Sequence, residues 1–268
     1  MNPVLAFDIE TVPDTAAGAR LYGLEGLSDE DIARAMATRR VQQTGGSDFL
    51  PLHLHRVVAI SAALRSGEDS LRVWSLGEED SDEAELIARF YDGIERYTPT
   101  LVSWNGGGFD LPVLHYRSLL HATPARRYWE MGDGDREFRF NNYLNRFHWR
   151  HIDLMDALAG FNPRAFAPLD ELAVMLGLPG KLGMHGGDVW RAYLDGGIRQ
   201  IREYCESDAL NTFLIYLRWE AVRGALDREA LEREYGLVKK FLQESGRKHF
   251  AAFLDAWEKT GGPAEEEE

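Results

Sequence analysis

Three short motifs concentrate the residues able to do chemistry. The first is Phe7-Asp8-Ile9-Glu10-Thr11, which closes the apolar run beginning at Val4. In an extended strand residues i and i+2 share a face, so Asp8 and Glu10 present two carboxylates side by side. Paired carboxylates repel unless a proton or a cation separates them, and a hard, oxygen-seeking metal ion is the natural third party. A solvated strand edge bearing the same two acids is the plainer reading of this motif alone.

The second motif is Trp104-Asn105-Gly106-Gly107-Gly108-Phe109-Asp110, an apolar strand running into three glycines with an acid at a helix start. Asp110 serves there either as an N-cap over a permissive turn or as a carboxylate facing a metal, with the glycines letting a nucleotide approach the backbone. No Gly-Lys-Ser/Thr follows, which argues against a phosphate-binding P-loop. The third is Tyr204-Cys205-Glu206-Ser207-Asp208 within a strongly helical segment. Tyr204 and Asp208 lie four apart on one helix face, flanked by Ile201, Cys205 and Thr212, so that face turns inward. An inward aspartate needs a partner, either a structural donor or a cation.

Taken together, in this order, the motifs resemble the DEDD exonuclease superfamily in its tyrosine-bearing branch. Within that branch they are most similar to the proofreading exonuclease domain of family B DNA polymerases, in a stand-alone form. The resemblance rests on Asp8-Ile9-Glu10, Asn105-Gly106-x-x-Phe109-Asp110 and Tyr204-Cys205-x-x-Asp208. It implies an α/β, RNase H-like fold: a mixed five-stranded sheet flanked by helices, with extra C-terminal helices. It further implies a metal-dependent 3′-5′ exonuclease that hydrolyses phosphodiesters with two Mg²⁺ or Mn²⁺ ions and releases nucleoside 5′-monophosphates. On this resemblance Asp8 bridges both ions, Glu10 and Asp208 complete one metal site, and Asp110 supports the other. Tyr204 orients the attacking water, and Thr11, Asn105, Gly106 and Phe109 contact the substrate. The expected partner is a single-stranded 3′ end, of DNA first and of RNA or short oligonucleotides as a close variant. The reading from another class is a non-catalytic nucleic-acid-binding module that keeps the fold. The stretch beyond Asp208 leaves no room for a polymerase palm, so proofreading in cis is not expected.

The elements that must hold these motifs follow from periodicity. Strands are expected at Val4–Ile9, Val57–Leu64, Leu71–Leu76, Thr100–Trp104 and Trp149–Leu154, with a turn at Ser66-Gly67-Glu68-Asp69. Leu86, Ile87, Phe90 and Ile94 give helical spacing over Ser81–Tyr97, ended by Pro99, and Asp110–Leu120 reads as the next helix. From Leu169 onward the chain reads as helices over 169–176, 188–194, 197–219, 227–243 and 246–258. Residues 12–50 form an insertion directly after two candidate ligands. Ser28 and Asp31 predict a helix within it reaching about Arg40, and part of it is expected to border the substrate cleft.

Composition sets the outer bounds. The 268 residues, 44% hydrophobic with seven Trp, ten Tyr and thirteen Phe, support one α/β domain over 1–260. Residues 261–268, ending in four glutamates, read as a disordered acidic tail. No apolar run approaches the ~20 residues of a membrane span. The N-terminus has no signal-peptide layout, and the single cysteine excludes a disulfide framework, so a cytoplasmic protein is expected. A net charge of -14 opposes a diffuse attraction to nucleic acid but leaves a local surface open to it. Such a surface could be the stretch holding Arg126, Arg127, Arg136, Arg139, Arg146 and Arg150, interleaved with Tyr128, Trp129, Phe140, Tyr143, Phe147 and Trp149. Arginine beside aromatics suits a single strand, although several of these rings belong to a core. His55, Arg56 and Lys181 read as solvated loop residues able to touch phosphate, and Asp153, Asp156, Asp170 and Asp188 as caps or turn residues.

Overall fold

The computed structural model describes residues 3–260, so the expected acidic tail lies outside the described residues. The chain order is β1 (Val4–Pro13), α1 (Thr15–Tyr22), α2 (Asp29–Thr44), β2 (His55–Ser66), β3 (Ser70–Ser75), α3 (Glu83–Tyr97), β4 (Thr100–Ser103), α4 (Asp110–His121), β5 (His151–Asp153) and α5 (Leu154–Leu158). Then follow α6 (Leu169–Met175), α7 (Val189–Leu194), α8 (Ile198–Val222), α9 (Arg228–Glu244) and α10 (Lys248–Lys259). The five strands form one mixed sheet in the order β3-β2-β1-β4-β5. β2 runs antiparallel to β1 and β3, while β4 runs parallel to β1 and β5. This is the five-stranded, helix-flanked α/β architecture that the sequence leads one to expect.

Strand alternation sorts β1 between two cores. Leu5, Phe7 and Ile9 point to the side covered by α3 and α4, where they meet Leu86, Phe90, Leu111 and Leu114. Val4 and Ala6 point to the other side, into a core with Leu210, Phe213 and Leu214 of α8. Asp8 and Glu10 continue that second row, so the same period of two that buries the apolar residues aims both acids at α8. Opposite Glu10 and Thr11 the register slips: Glu10 pairs with Ala59 and Thr11 with Val57, leaving Val58 as an extra residue on β2. Such a bulge bends the strand pair and re-aims side chains beside it.

β1 and β4 pair only from Val4 to Ala6 and from Thr100 to Val102. Beyond that, β4 turns off into the glycine loop while β1 runs on, and the two separate at their carboxyl ends. In open α/β sheets this kind of gap is where ligands bind. The insertion contains two helices rather than one. Asp14 caps α1 by accepting the Ala17 N–H at 2.9 Å, and Ser28 caps α2 by accepting the Asp31 N–H at 3.2 Å. α2 runs on to Thr44, past the expected end near Arg40. Among the described residues no helix is long and apolar enough to cross a membrane.

Candidate active site

A carboxylate oxygen from each of Asp8, Glu10 and Asp208 lies within 4.8 Å of the others. β1 supplies the first two, and α8, lying across β1 and β2, supplies the third. All four acids around this point are held above the usual carboxylate range. Burial raises Asp8 well above its ordinary value, and the charges of Glu10, Asp110 and Asp208 raise it further. Burial and Asp208 do the same to Glu10. Asp208 is raised by burial, with Lys181 pulling against the shift. Burial pushes Asp110 up to about 7.

Hydrogen bonding leaves part of this charge unanswered. Asp8 Oδ2 and Asp208 Oδ1 are buried and have no hydrogen-bond partner. A buried, unpartnered carboxylate oxygen is costly, and the convergence of three carboxylates raises the cost further. A divalent cation coordinated by oxygen would remove both penalties, so the residues present fit a hard metal ion.

Asp110 stands slightly apart. It is the first residue of α4, and Phe109 occupies the cap position without a capping side chain. The N-cap reading of Asp110 therefore does not hold. Its Oδ1 instead accepts the Ile9 N–H of β1 at 3.2 Å, a donor set free where β4 has peeled away. The glycine loop before it is tied by Asp153, whose two carboxylate oxygens accept the N–H groups of Asn105 and Gly107, each at 2.9 Å. Asp153 is thus more than a cap for α5. Gly106 is required by packing: a Cβ there would meet the Ser103 hydroxyl at 2.2 Å. Asn105 sits in the left-handed region with φ 64.

Tyr204 stands beside the acids, its hydroxyl receiving a hydrogen bond from Lys181 Nζ. Burial and the neighbouring carboxylates push its pKa upward, so the phenol keeps its proton. Lys181 also pairs with Asp208 Oδ2 at 3.2 Å. Burial alone would lower the lysine pKa, but Asp208, Asp8 and Glu10 more than offset it and hold Lys181 charged. Asp170 fixes this loop by accepting the Lys181 N–H at 2.6 Å. Lys181 is therefore no solvated loop residue, and Asp170 is no helix cap. For Lys181 the available signal was its glycine-rich setting in the loop ahead of α7 and α8.

Above Glu10 opens a cavity of about 710 Å³. Thr11, Asn105 and Phe109 line it, together with Phe49 and Leu50 from the insertion and Trp190 from α7. Gly106 does not line it and is buried. Phe49 packs on Phe109 at 5.8 Å between ring centroids and on His55 at 5.1 Å. His55 is a strut rather than a phosphate ligand: it is hydrogen-bonded to Thr11 Oγ1 at 2.9 Å and to the Leu50 carbonyl at 3.2 Å. Burial lowers its pKa, which keeps it neutral. Arg56 donates to the Tyr193 hydroxyl at 2.7 Å. In the arginine-rich stretch, Tyr128, Phe138 and Tyr143 are core, whereas Trp129, Phe140, Phe147 and Trp149 are exposed.

Parts of this chain are similar to known proteins. A family described as "Predicted 3'-5' exonuclease related to the exonuclease domain of PolB" matches residues 47–257. That span includes Asp110, Tyr204 and Asp208 and begins after Asp8 and Glu10. The catalytic subunit of DNA polymerase epsilon from Saccharomyces cerevisiae is 24% identical over 150 residues, which is 52% of this chain and 6% of that protein. The family B DNA polymerase from the hyperthermophilic archaeon Pyrobaculum calidifontis is similar in structure with a TM-score of 0.47 at 20% identity, over 81% of this chain and 25% of that one. The chain spans a small fraction of either polymerase.

Proposed function

The chain belongs to the family of predicted 3′-5′ exonucleases related to the exonuclease domain of PolB, and from this premise we propose that it removes nucleoside 5′-monophosphates from the 3′ end of single-stranded nucleic acid, DNA by preference. The observation that carries the reading is the convergence of Asp8, Glu10 and Asp208 with two buried carboxylate oxygens left unpartnered. With Asp110 these are the four acids of the DEDD pattern, which on this reading would serve two Mg²⁺ or Mn²⁺ ions. When bound, such ions polarise the phosphoryl oxygens and make an attacking water acidic.

The chain's own groups do the rest. Asp8, Glu10 and Asp208 would hold the cations, with Asp110 adding support from the start of α4. Tyr204, protonated and fixed by Lys181, donates or accepts one hydrogen bond to position the water, and its raised pKa rules it out as the base. Lys181 adds a positive charge beside the point where a phosphate must sit. The cavity over Glu10 receives the terminal nucleotide, with Phe49 and Phe109 offering faces for its base. Access through the Asn105–Gly108 turn suits a threaded end better than a rigid duplex. The buried, unpaired Cys205 accords with a reducing compartment such as the cytoplasm.

Incubation of 5′-labelled DNA and RNA oligomers with the purified chain and Mg²⁺ or Mn²⁺ tests this directly. A ladder shortening one nucleotide at a time, with mononucleotide product and a circular single strand left intact, is the expected result. Binding without any hydrolysis would instead support the non-catalytic module, and rapid cutting of the circle would identify an endonuclease.

A further inference from the structure

A second cavity, of about 450 Å³, lies on the other side of the Asn105–Gly108 turn. Gly107, Arg146, Phe147, Trp149, Phe161 and Phe166 line it. Asn105 lines both this cavity and the one over Glu10, so the two meet at that residue. We propose that this second cavity is a nucleobase subsite that holds the base one step upstream of the 3′-terminal nucleotide. The inference rests on the exonuclease reading, since it takes the terminal nucleotide to lie over Glu10.

The aromatic lining has no full structural duty. Tyr128, Phe138 and Tyr143 of the same stretch are almost fully buried, whereas Phe147 is 63% and Trp149 50% exposed. Leaving large rings in water beside a cavity has a cost that a stacked base would recover. Phe147 and Phe161 meet edge to face, 4.8 Å between centroids. Phe161 holds φ at 61, a left-handed conformation that a bulky residue rarely adopts. Strain of this kind persists where the surroundings impose it and clusters at ligand sites.

The charge pattern selects a base over a phosphate. Arg146 Nη2 lies 2.7 Å from both oxygens of Asp156, so its charge is answered within the protein. Its guanidinium stands 5.3 Å from the Phe161 centroid and 5.7 Å from that of Phe147, which extends a flat, polarisable wall. Asp153 lines the cavity with no cation among the described residues paired to it and disfavours a phosphate, while the Arg146–Asp156 pair offers one no net charge. A neutral, planar, aromatic group is what these surfaces accept. The volume falls within the ~300–1,000 Å³ of pockets that enclose small ligands.

The experiment compares single-stranded oligomers that are intact, abasic at the penultimate position, or abasic five positions from the 3′ end. With the full chain and Mg²⁺, the penultimate abasic substrate should lose on the order of tenfold in kcat/KM, the scale of one lost base–aromatic stack. The distal abasic substrate should match the intact one. Phe147→Ala should erase this discrimination by slowing the intact substrate to the abasic level, chiefly through KM. Phe140→Ala removes a ring 83% exposed in the same stretch but outside the cavity, and it should preserve the discrimination. Hydrolysis with no penultimate effect, or an effect that survives Phe147→Ala in a folded variant, overturns the subsite and leaves the exonuclease reading standing. Absence of hydrolysis on every oligomer overturns that reading and takes the subsite with it.

Discussion

Helix α8 carries two buried acids, Glu206 and Asp208, in opposite electrostatic states. Burial would raise both. Around Glu206 the rise is reversed, because His249 at 2.9 Å, the Ser75 hydroxyl at 2.8 Å and Arg247 at 2.7 Å all favour the carboxylate. The Ser75 N–H adds a fourth donor at 2.9 Å, and the pKa falls below the ordinary value. Asp208 has burial and the charge of Asp170 against Lys181 and the Tyr204 hydroxyl, keeps one oxygen unpartnered, and titrates above the ordinary value. Burial does not separate a structural acid from a functional one. The completeness of its protein partners does, and the incomplete set is the one that awaits a cation.

The largest expected effects come from the incomplete set. Asp8→Ala or Asp208→Ala should lower the single-turnover rate on the order of a thousandfold, ~4 kcal/mol of barrier, while the metal-free melting temperature holds or rises. Activity near wild type in either variant would remove the metal-ligand assignment. Glu206→Ala should give the mirror image. It strands Arg247 and His249 and should cost about 2–3 kcal/mol of stability, less than a fully buried pair because Arg247 keeps contact with water. Its catalytic rate at a permissive temperature should stay within a few-fold of wild type. A thermal scan beside a rate measurement reads both arms, and a variant that loses activity but not stability would put Glu206 in the wrong class.

Tyr204 tests the same contrast at one remove. Replacement by Phe keeps the ring against Ile201 and Cys205 and deletes the hydroxyl that Lys181 holds. The expected loss is ~2–3 kcal/mol of barrier, roughly a hundredfold in rate, with little change in melting temperature. An unchanged single-turnover rate would make the tyrosine structural.

The site acids were legible in the sequence while the role of Glu206 was not, and the missing part has a physical reason. The period of two in β1 announced that Asp8 and Glu10 share a face, and the period of α8 turned Tyr204 and Asp208 inward. These are local properties, fixed by backbone geometry within a few residues. Helix α1 went unread although Asp14 and Gly23 flank it as caps, because eight residues offer little periodicity. Lys181, Asp153 and Phe49 could not be assigned from spacing at all. Each acts through a neighbour far along the chain: Lys181 on Asp208, Asp153 on the glycine loop, Phe49 on Phe109. Periodicity reports which way a side chain points, and only the tertiary fold reports what it meets.

The smallest expected effect is a pH dependence, and its sign follows from the same difference. A group whose folded pKa is raised contributes stability that is present below its unfolded pKa and is lost as pH rises through the folded one. Asp8, Glu10 and Asp208 are all raised, and Asp110 is raised to about 7. Metal-free protein should therefore lose stability as pH climbs from ~4, the unfolded carboxylate range, through 7. Three histidines whose pKa is lowered by burial, His55, His115 and His151, oppose this at lower pH. His115 and His151 are depressed to about 4, so they add stability as pH rises toward ~6.5, where the unfolded imidazole gives up its proton. Above that their contribution is complete, and Glu206, depressed below its ordinary value, has long since finished ionising. The interval from about pH 6.5 to 8 thus isolates the site carboxylates. There the melting temperature without metal should fall by a few degrees, at ~2–4 °C per kcal/mol for a domain of this size. Asp110→Asn should flatten that fall, and saturating Mg²⁺ should abolish it by stabilising the ionised cluster. A metal-free melting temperature that is flat or rising across this interval would mean the four acids are already compensated within the protein, and the contrast with Glu206 would collapse.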